Sequence, residues 1–282
     1  MYQKLEKPGC KWGIFGIASL IGNIALMAFY TVVTGWIIYY FIKFLTGQNA
    51  DFGFTQMITN PTVNVVFLLV TVVVAFAILS FNLQGGLERI TKYMMLALLV
   101  LMLVLAVHSL PLPGAAEGLK FYLVPDFSVM VKDTPLATLK ATLNVVVAAL
   151  NQSFFTLSLG IGAMLIFGSY LGRERSLLGE SVNIALLDTF VAFVSGLIIF
   201  PACFSYGVQP DAGPSLIFQT LPSVFVNMEG DRLWGTLFFL FMTFASFSTV
   251  LAVFENLLAF AVDTFGISRK KASLIGCIAM LV

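Results

Sequence analysis

The sequence is long, apolar and almost neutral in net charge. Of its 282 residues, 59% are hydrophobic and 10% are charged, and the formal net charge is +1. Soluble domains carry about 25% charged residues, so this composition excludes a soluble enzyme, and the small net charge excludes a nucleic-acid partner. One histidine, His108, and three widely spaced cysteines exclude a histidine-built metal site, a catalytic triad and a disulfide framework. The predicted surroundings of the chain are a lipid bilayer.

The apolar stretches predict an all-α membrane protein with about seven transmembrane helices. A spanning helix needs about 20 mostly apolar residues. Six complete spans are predicted, at residues 13–45, 62–81, 93–112, 139–171, 177–204 and 233–265. A seventh apolar run begins near Ala272 and reaches Val282. Because this run has no polar end, and no signal peptide is predicted at the N-terminus, we expect a piece of a larger membrane protein.

The distribution of positive charge predicts the orientation of the spans. Cytoplasmic loops carry an excess of lysine and arginine. Of the 15 such residues, five fall on one side of the predicted membrane: Lys43, Lys120, Lys132, Lys140 and Arg232. The remaining ten fall on the other side, so we expect a cytoplasmic N-terminus.

Two carboxylates lie inside predicted spans, where charged groups are costly and usually functional. Asp188 lies in the fifth span, and Glu255 lies in the cytoplasmic half of the sixth. For Asp188 the alternative to an ion site is a buried acid with a hydrogen-bond partner. For Glu255 we favour a structural role or a role along a transport pathway.

The fourth span combines polar side chains with two glycines, Gly160 and Gly162, inside an apolar stretch. Backbone at this depth must be hydrogen-bonded, so the pair indicates a broken helix that lines a cavity. Close packing of helices on small residues is the alternative.

The sixth span presents neutral oxygen atoms on one face. Ala245, Ser248, Thr249 and Val253 are spaced by one, three or four residues and share that face. Two hydroxyls and a carbonyl suit a hard monovalent cation such as Na⁺, although such hydroxyls often bond to carbonyls of the preceding turn. In the first span, Leu26 and Tyr30 lie one turn apart, and the tyrosine hydroxyl needs a partner.

Read together, these residues resemble the neurotransmitter:sodium symporter family, and its bacterial amino-acid transporters in particular. The resemblance is most specific in the segment NQSFFTLSLGIGAML at residues 151–165, which is similar to the sixth helix of the family. It extends to GAAEGLKFYLVPDFS before this segment, and to LLGESVNIALLDTFVAFVSGLIIFP and GPSLIFQTLPSVF after it.

The resemblance implies a partial leucine-transporter-type bundle built on an inverted repeat, with a broken helix at its site. Residues 1–282 then form a single transmembrane domain that resembles helices three to eight of the family and the start of helix nine. The twelve-helix plan of the family implies that helices one and two and the C-terminal helices are absent from this chain. It also implies a multi-pass protein of the bacterial plasma (inner) membrane.

The family's site residues carry over by position onto this sequence. The implied substrate-binding residues are Leu26, Tyr30, Phe155, Thr156, Ser158, Ile161, Thr249 and Val253. Thr156 and Asp188 match ligands of the sodium ion near the substrate, although many members have asparagine at the position of Asp188. The carbonyl of Ala245 and the hydroxyls of Ser248 and Thr249 match ligands of the second sodium ion.

The resemblance also implies the ions and the substrate class. Gln152 matches a chloride ligand of animal members, but Ala192 stands where those members have a serine, and Asp188 could supply the missing negative charge. We therefore expect no chloride requirement. Ile161 and Val253 leave the pocket apolar, which favours a neutral, hydrophobic amino acid. The expected function is sodium-coupled symport of this amino acid by alternating access, without enzyme activity. The alternative is a non-transporting fragment or partial gene product.

Overall fold

The computed structural model describes residues 11, 13–48, 53–80, 84–128, 130–162, 164, 168, 171–172, 174–207, 216–228 and 230–281. Within these residues the secondary structure is helical and contains no strand, which confirms the predicted all-α class. The structure contains ten α-helices among the described residues: α1 (Gly13–Thr46), α2 (Phe54–Thr59), α3 (Pro61–Ser80), α4 (Gln84–Ser109), α5 (Ala115–Leu123), α6 (Pro135–Thr156), α7 (Leu177–Tyr206), α8 (Leu221–Val226), α9 (Asp231–Phe265) and α10 (Arg269–Leu281). A π-helical turn, Leu216–Thr220, leads directly into α8.

Four of the described helices are long and apolar enough to cross a membrane: α1, α3, α7 and α9. Helix α9 has 35 residues. At 1.5 Å per residue this is a length of about 52 Å, well beyond the roughly 30 Å apolar layer of a bilayer. The predicted fourth span is interrupted, as the glycine pair indicated, and α6 ends at Thr156. The predicted third span also differs, since α4 begins at Gln84.

The chain divides into two compact units, and the first comprises residues 1–105 and 206–282. In its framework α9 packs against α1, α3 and α10, and α3 also packs against α1 and α10. Helices α1 and α9 run antiparallel, because Phe44 lies against Gly235 whereas Tyr30 lies beside Thr249. A Cβ atom on Gly235 would overlap the ring of Phe44, so a glycine is required at this crossing. A buried cluster that includes Met27, Phe76 and Phe254 fills the centre of the unit.

The second unit comprises residues 106–205. Here α5 lies against α7 at two glycines. A Cβ atom on Gly118 would lie 2.5 Å from the carbonyl oxygen of Phe200, and one on Gly196 would overlap the ring of Tyr122. The hydroxyl of Tyr122 donates to the carbonyl of Phe193 at 3.4 Å. Close backbone approach therefore fixes α5 on the surface of α7.

Candidate ion and substrate site

Three oxygen atoms converge on the middle of α9. The hydroxyl of Ser248 donates to the carbonyl of Ala245 at 2.7 Å, and the hydroxyl of Thr249 donates to the same carbonyl at 3.4 Å. All three residues are half-buried. Bonding of the hydroxyls to the preceding turn is thus present, and it gathers the oxygens that the sequence assigned to the second sodium ion. Rotation of the two hydroxyl hydrogens would turn the same atoms into cation ligands without moving the backbone.

The residues predicted on α1 lie next to this oxygen cluster. The hydroxyl of Tyr30 lies beside Thr249, where α1 packs against α9. Val253 is 4% exposed and belongs to the buried core, and both Leu26 and Tyr30 pack against that core. The structure therefore brings together four of the eight substrate residues predicted from the sequence, Leu26, Tyr30, Thr249 and Val253, beside the proposed second sodium ligands.

The predicted break in the fourth span is present, and it begins earlier than the glycines. Helix α6 ends at Thr156 with two hydrogen bonds that are typical of a Schellman cap: Leu159 N donates to the carbonyl of Phe154 at 2.9 Å and Ser158 N to that of Phe155 at 3.1 Å. Ser158 has a positive φ of 51° and is the only such non-glycine residue among those described. Gly160 and Gly162 follow with φ values of 89° and 81°. Three left-handed residues in five explain why no helix continues here.

The predicted site residues of this break lie close together along the chain. Phe155 is 61% exposed, Thr156 is exposed, and Ser158 and Ile161 are half-buried. The hydroxyl of Thr156 lies 3.4 Å from the carbonyl of Ser153, to which it donates. A helix C-terminus carries partial negative charge on its last carbonyls, so the end of α6 favours a cation beside Thr156.

Asp188 is half-buried on α7, in the same unit as Thr156. It takes part in neither of the two ion pairs that the described residues form, Arg175–Glu180 and Arg269–Glu255. A carboxylate in this position, on a predicted spanning helix and outside those pairs, is consistent with the sodium ligand expected from the sequence. Whether Asp188 binds an ion is still a prediction.

Glu255 has a partner of the kind that a structural role requires. Arg269, at the start of α10, donates to both carboxylate oxygens of Glu255, at 2.9 and 2.5 Å. Arg269 also donates to the carbonyl of Leu79 on α3 at 3.0 Å. One guanidinium therefore joins α3, α9 and α10. The sequence pointed to Glu255 but not to this partner, because Arg269 lies in a run of basic residues whose evident role is to set the orientation.

A broken helix, carboxylates on apolar helices and a cluster of neutral oxygens are features of polytopic membrane proteins that bind ions. Residues 52–282 match the model of the sodium:neurotransmitter symporter family. The chain belongs to this family, which confirms the resemblance found in the sequence. The family is one of transporters and not of enzymes.

Named relatives support the same assignment. The chain is 32% identical to an uncharacterised sodium-dependent transporter of Haemophilus influenzae, over 93% of this chain and 57% of that protein. It is 33% identical to the uncharacterised sodium-dependent transporter YhdH of Bacillus subtilis, over 95% and 58% of the two chains. The crystal structure of MhsT in complex with L-phenylalanine superposes with a TM-score of 0.84 at 34% identity, and covers 97% of this chain and 62% of MhsT. The chain thus spans somewhat more than half the length of these relatives.

Proposed function

We propose that the protein carries out sodium-coupled symport of a neutral, hydrophobic amino acid by alternating access. The observation that carries this proposal is the convergence of the Ala245 carbonyl with the hydroxyls of Ser248 and Thr249, and the position of Tyr30 beside Thr249. A carboxylate-binding tyrosine and a cation-binding cluster then share Thr249. Occupation of one site would favour occupation of the other, and this coupling is reciprocal by thermodynamic linkage.

In this proposal Ala245, Ser248 and Thr249 supply ligands to the second sodium ion. Neutral oxygens bind a monovalent cation weakly enough for release into the cytoplasm. Because all three oxygens lie on one helix, the site is completed by further ligands from elsewhere in the protein. Loss of this ion would then permit the inward-opening step.

The substrate residues divide into two sets. In the first unit, Tyr30 binds the substrate carboxylate, while Leu26 and Val253 supply apolar surface with Thr249 beside them. In the second unit the set surrounds the helix break: Phe155 as an aromatic lid, Thr156, Ser158 and Ile161. The apolar character of Leu26, Val253 and Ile161 favours a hydrophobic side chain. The complex of MhsT, a structural neighbour, with L-phenylalanine supports this substrate class.

We also propose that Thr156 and Asp188 bind the sodium ion near the substrate, and that transport requires no chloride. Asp188 would supply the fixed negative charge that balances a second cation, and Ala192 offers no hydroxyl to an anion. The excess of lysine and arginine on one side supports a cytoplasmic N-terminus in a bacterial inner membrane.

An equilibrium binding screen tests this function. The protein encoded at the native locus is purified in detergent, and each of the twenty amino acids is tested for displacement of tritiated L-phenylalanine in sodium chloride, sodium gluconate or choline chloride. We expect displacement by hydrophobic amino acids in both sodium salts and no binding in choline. Equal binding in choline would contradict sodium coupling, and displacement by charged amino acids alone would contradict the substrate class.

A further inference from the structure

Two aromatic side chains near the outer end of α1, on the proposed orientation, hold a distant segment of the chain. The hydroxyl of Tyr40 donates to the carbonyl of Phe218 at 2.6 Å, across 178 residues of sequence. Phe218 belongs to the π-helical turn and is fully buried. Its ring centroid lies 5.3 Å from that of Tyr40 and 5.6 Å from that of Trp36. The outer segment, Leu216–Val226, is therefore fixed to α1 by a hydrogen bond and by aromatic contact.

Trp36 also holds a second piece of chain. Its indole N–H donates to the side-chain oxygen of Asn64 at 2.6 Å. The amide of Asn64 in turn donates to carbonyls at the end of α2, with distances of 3.2, 3.0 and 2.9 Å to Met57, Ile58 and Asn60. Phe54, at the start of α2, stacks on Phe218 at 5.7 Å with an interplanar angle of 6°. Trp36 therefore contacts both Phe54 of α2 and Phe218 of the outer segment.

The hydrogen bond between Tyr40 and Phe218 satisfies two buried polar groups at once. Tyr40 is 1% exposed, and a phenol hydroxyl at that depth needs a partner. The carbonyl of Phe218 lies in a π-helical turn, a local departure from α-helical bonding that is common at functional sites. Separation of the two residues would break a hydrogen bond between two buried groups, so the contact opens rarely.

The same helix carries the residue that the proposed function assigns to the substrate carboxylate. Tyr30 lies ten residues before Tyr40 on α1, which corresponds to about 15 Å along the helix axis. We propose that Trp36 and Tyr40 form a latch that makes the outer segment move with α1, and that Tyr40 is a positioning residue for Tyr30. The second half of this inference rests on the proposed function, whereas the first half rests on the contacts alone.

The latch is tested first by hydrogen exchange, which requires no transport. Tyr40→Phe removes one hydroxyl and keeps the ring, and Tyr39→Phe is the matched control on the same helix, where the ring lies against Phe67. In the protein from the native locus, we expect about tenfold faster amide exchange across the outer segment in Tyr40→Phe and no change in Tyr39→Phe. Unchanged exchange in Tyr40→Phe, or equal acceleration in both variants, would overturn the latch.

A second variant separates the two roles of the latch. Trp36→Phe removes the donor to Asn64, so we expect faster exchange in both α2 and the outer segment, whereas Tyr40→Phe accelerates only the latter. Acceleration confined to α2 in Trp36→Phe would show that the two pieces are held independently, against the shared latch.

The positioning role is tested by the kinetics of uptake in proteoliposomes. We expect Tyr40→Phe to raise the substrate KM about fivefold while kcat stays within about twofold, with Tyr39→Phe unchanged in both constants. Faster exchange with an unchanged KM would overturn the positioning role. If the unmodified protein binds and transports no amino acid, the proposed function fails, and the exchange experiment still decides the latch by itself.

Discussion

At the scale of single residues, removal of the hydroxyls of Ser248 and Thr249 tests whether they bind the second sodium ion. Replacement of either residue by alanine removes one proposed cation ligand and leaves the carbonyl of Ala245 in place. We expect Ser248→Ala to raise the sodium concentration for half-maximal uptake about tenfold, which corresponds to roughly 1.4 kcal/mol of lost binding. The measurement is a sodium titration of uptake at fixed substrate concentration.

Ser246→Ala is the matched control for this experiment. Ser246 lies on the same helix, is 3% exposed, and donates to the carbonyl of Thr243 at 3.0 Å. Its removal should leave the sodium titration unchanged. A shift of equal size in Ser246→Ala would show that loss of any hydroxyl from α9 perturbs the helix, and would contradict a specific site.

Asp188 is tested through its charge. Asp188→Asn keeps the size and polar oxygen of the side chain and removes the negative charge. We expect uptake that becomes responsive to chloride, because the variant keeps an oxygen ligand but loses the fixed charge that we propose to balance the cation. Uptake is measured in sodium chloride and sodium gluconate, with Asp133→Asn, an exposed position, as the control. Identical titrations in Asp188→Asn and the unmodified protein would return Asp188 to a structural role.

At the scale of the element, the break after α6 depends on left-handed backbone. Gly160 has φ of 89° and no atom within 4 Å of the position that a Cβ would take, so a methyl group there meets open space and acts only through the backbone. We expect Gly160→Ala to lower the free energy of unfolding by about 1 kcal/mol, because alanine disfavours left-handed backbone, and to weaken substrate binding severalfold. Binding of tritiated L-phenylalanine measures the effect.

Gly168→Ala is the control that shows whether the effect of Gly160→Ala arises from its backbone conformation. Gly168 also has no atom within 4 Å of an added Cβ, but it is helical and has no positive φ. Alanine is a better helix former than glycine, so this variant should bind substrate as the unmodified protein does. A comparable loss of binding in both variants would show that the effect does not arise from left-handed backbone at Gly160.

A helix was predictable from the sequence where an apolar run is flanked by polar or charged residues. The first span is predicted at residues 13–45 and observed as Gly13–Thr46, because a long apolar run lies between charged segments. The glycine pair indicated the break but not its start. Ser158 adopts the left-handed conformation of the Schellman cap, and serine carries little local signal for that conformation.

Across the first unit as a whole, the pair Glu255–Arg269 joins three helices at the proposed cytoplasmic side. The two side chains are 11% and 30% exposed. Arg269→Met removes the positive charge and leaves a largely buried carboxylate without its partner. We therefore expect the free energy of unfolding to fall by about 2 kcal/mol and the thermal midpoint of unfolding in detergent to be lower.

The control is Arg175→Met, which breaks the exposed pair with Glu180, where the side chains are 67% and 28% exposed. Water and salt screen such a pair, so the thermal midpoint of the Arg175→Met variant should equal that of the unmodified protein. An unchanged midpoint in Arg269→Met would contradict a structural role for the buried pair.

Long-range pairing is the part of the molecule that the sequence did not disclose. Glu255 stood out as a charge in an apolar helix, but its partner follows a turn at Gly266 and looked like an ordinary loop residue. Tyr40 and Phe218 lie 178 residues apart, and no local pattern links them. The spacing of Trp36, Tyr40 and Phe44 at one-turn intervals is the signal that could have indicated a packed aromatic face on α1. Side-chain partners of this kind depend on how helices pack, which periodicity alone does not determine.

The most direct test of sodium-coupled symport is gradient-driven uptake in proteoliposomes. The protein from the native locus is reconstituted with potassium inside, and tritiated L-phenylalanine or L-leucine is supplied outside with sodium gluconate, sodium chloride or choline chloride. We predict accumulation above the external concentration in both sodium salts, its collapse when a sodium ionophore removes the gradient, and none in choline. Equal uptake in choline, or accumulation that survives the ionophore, would contradict sodium coupling.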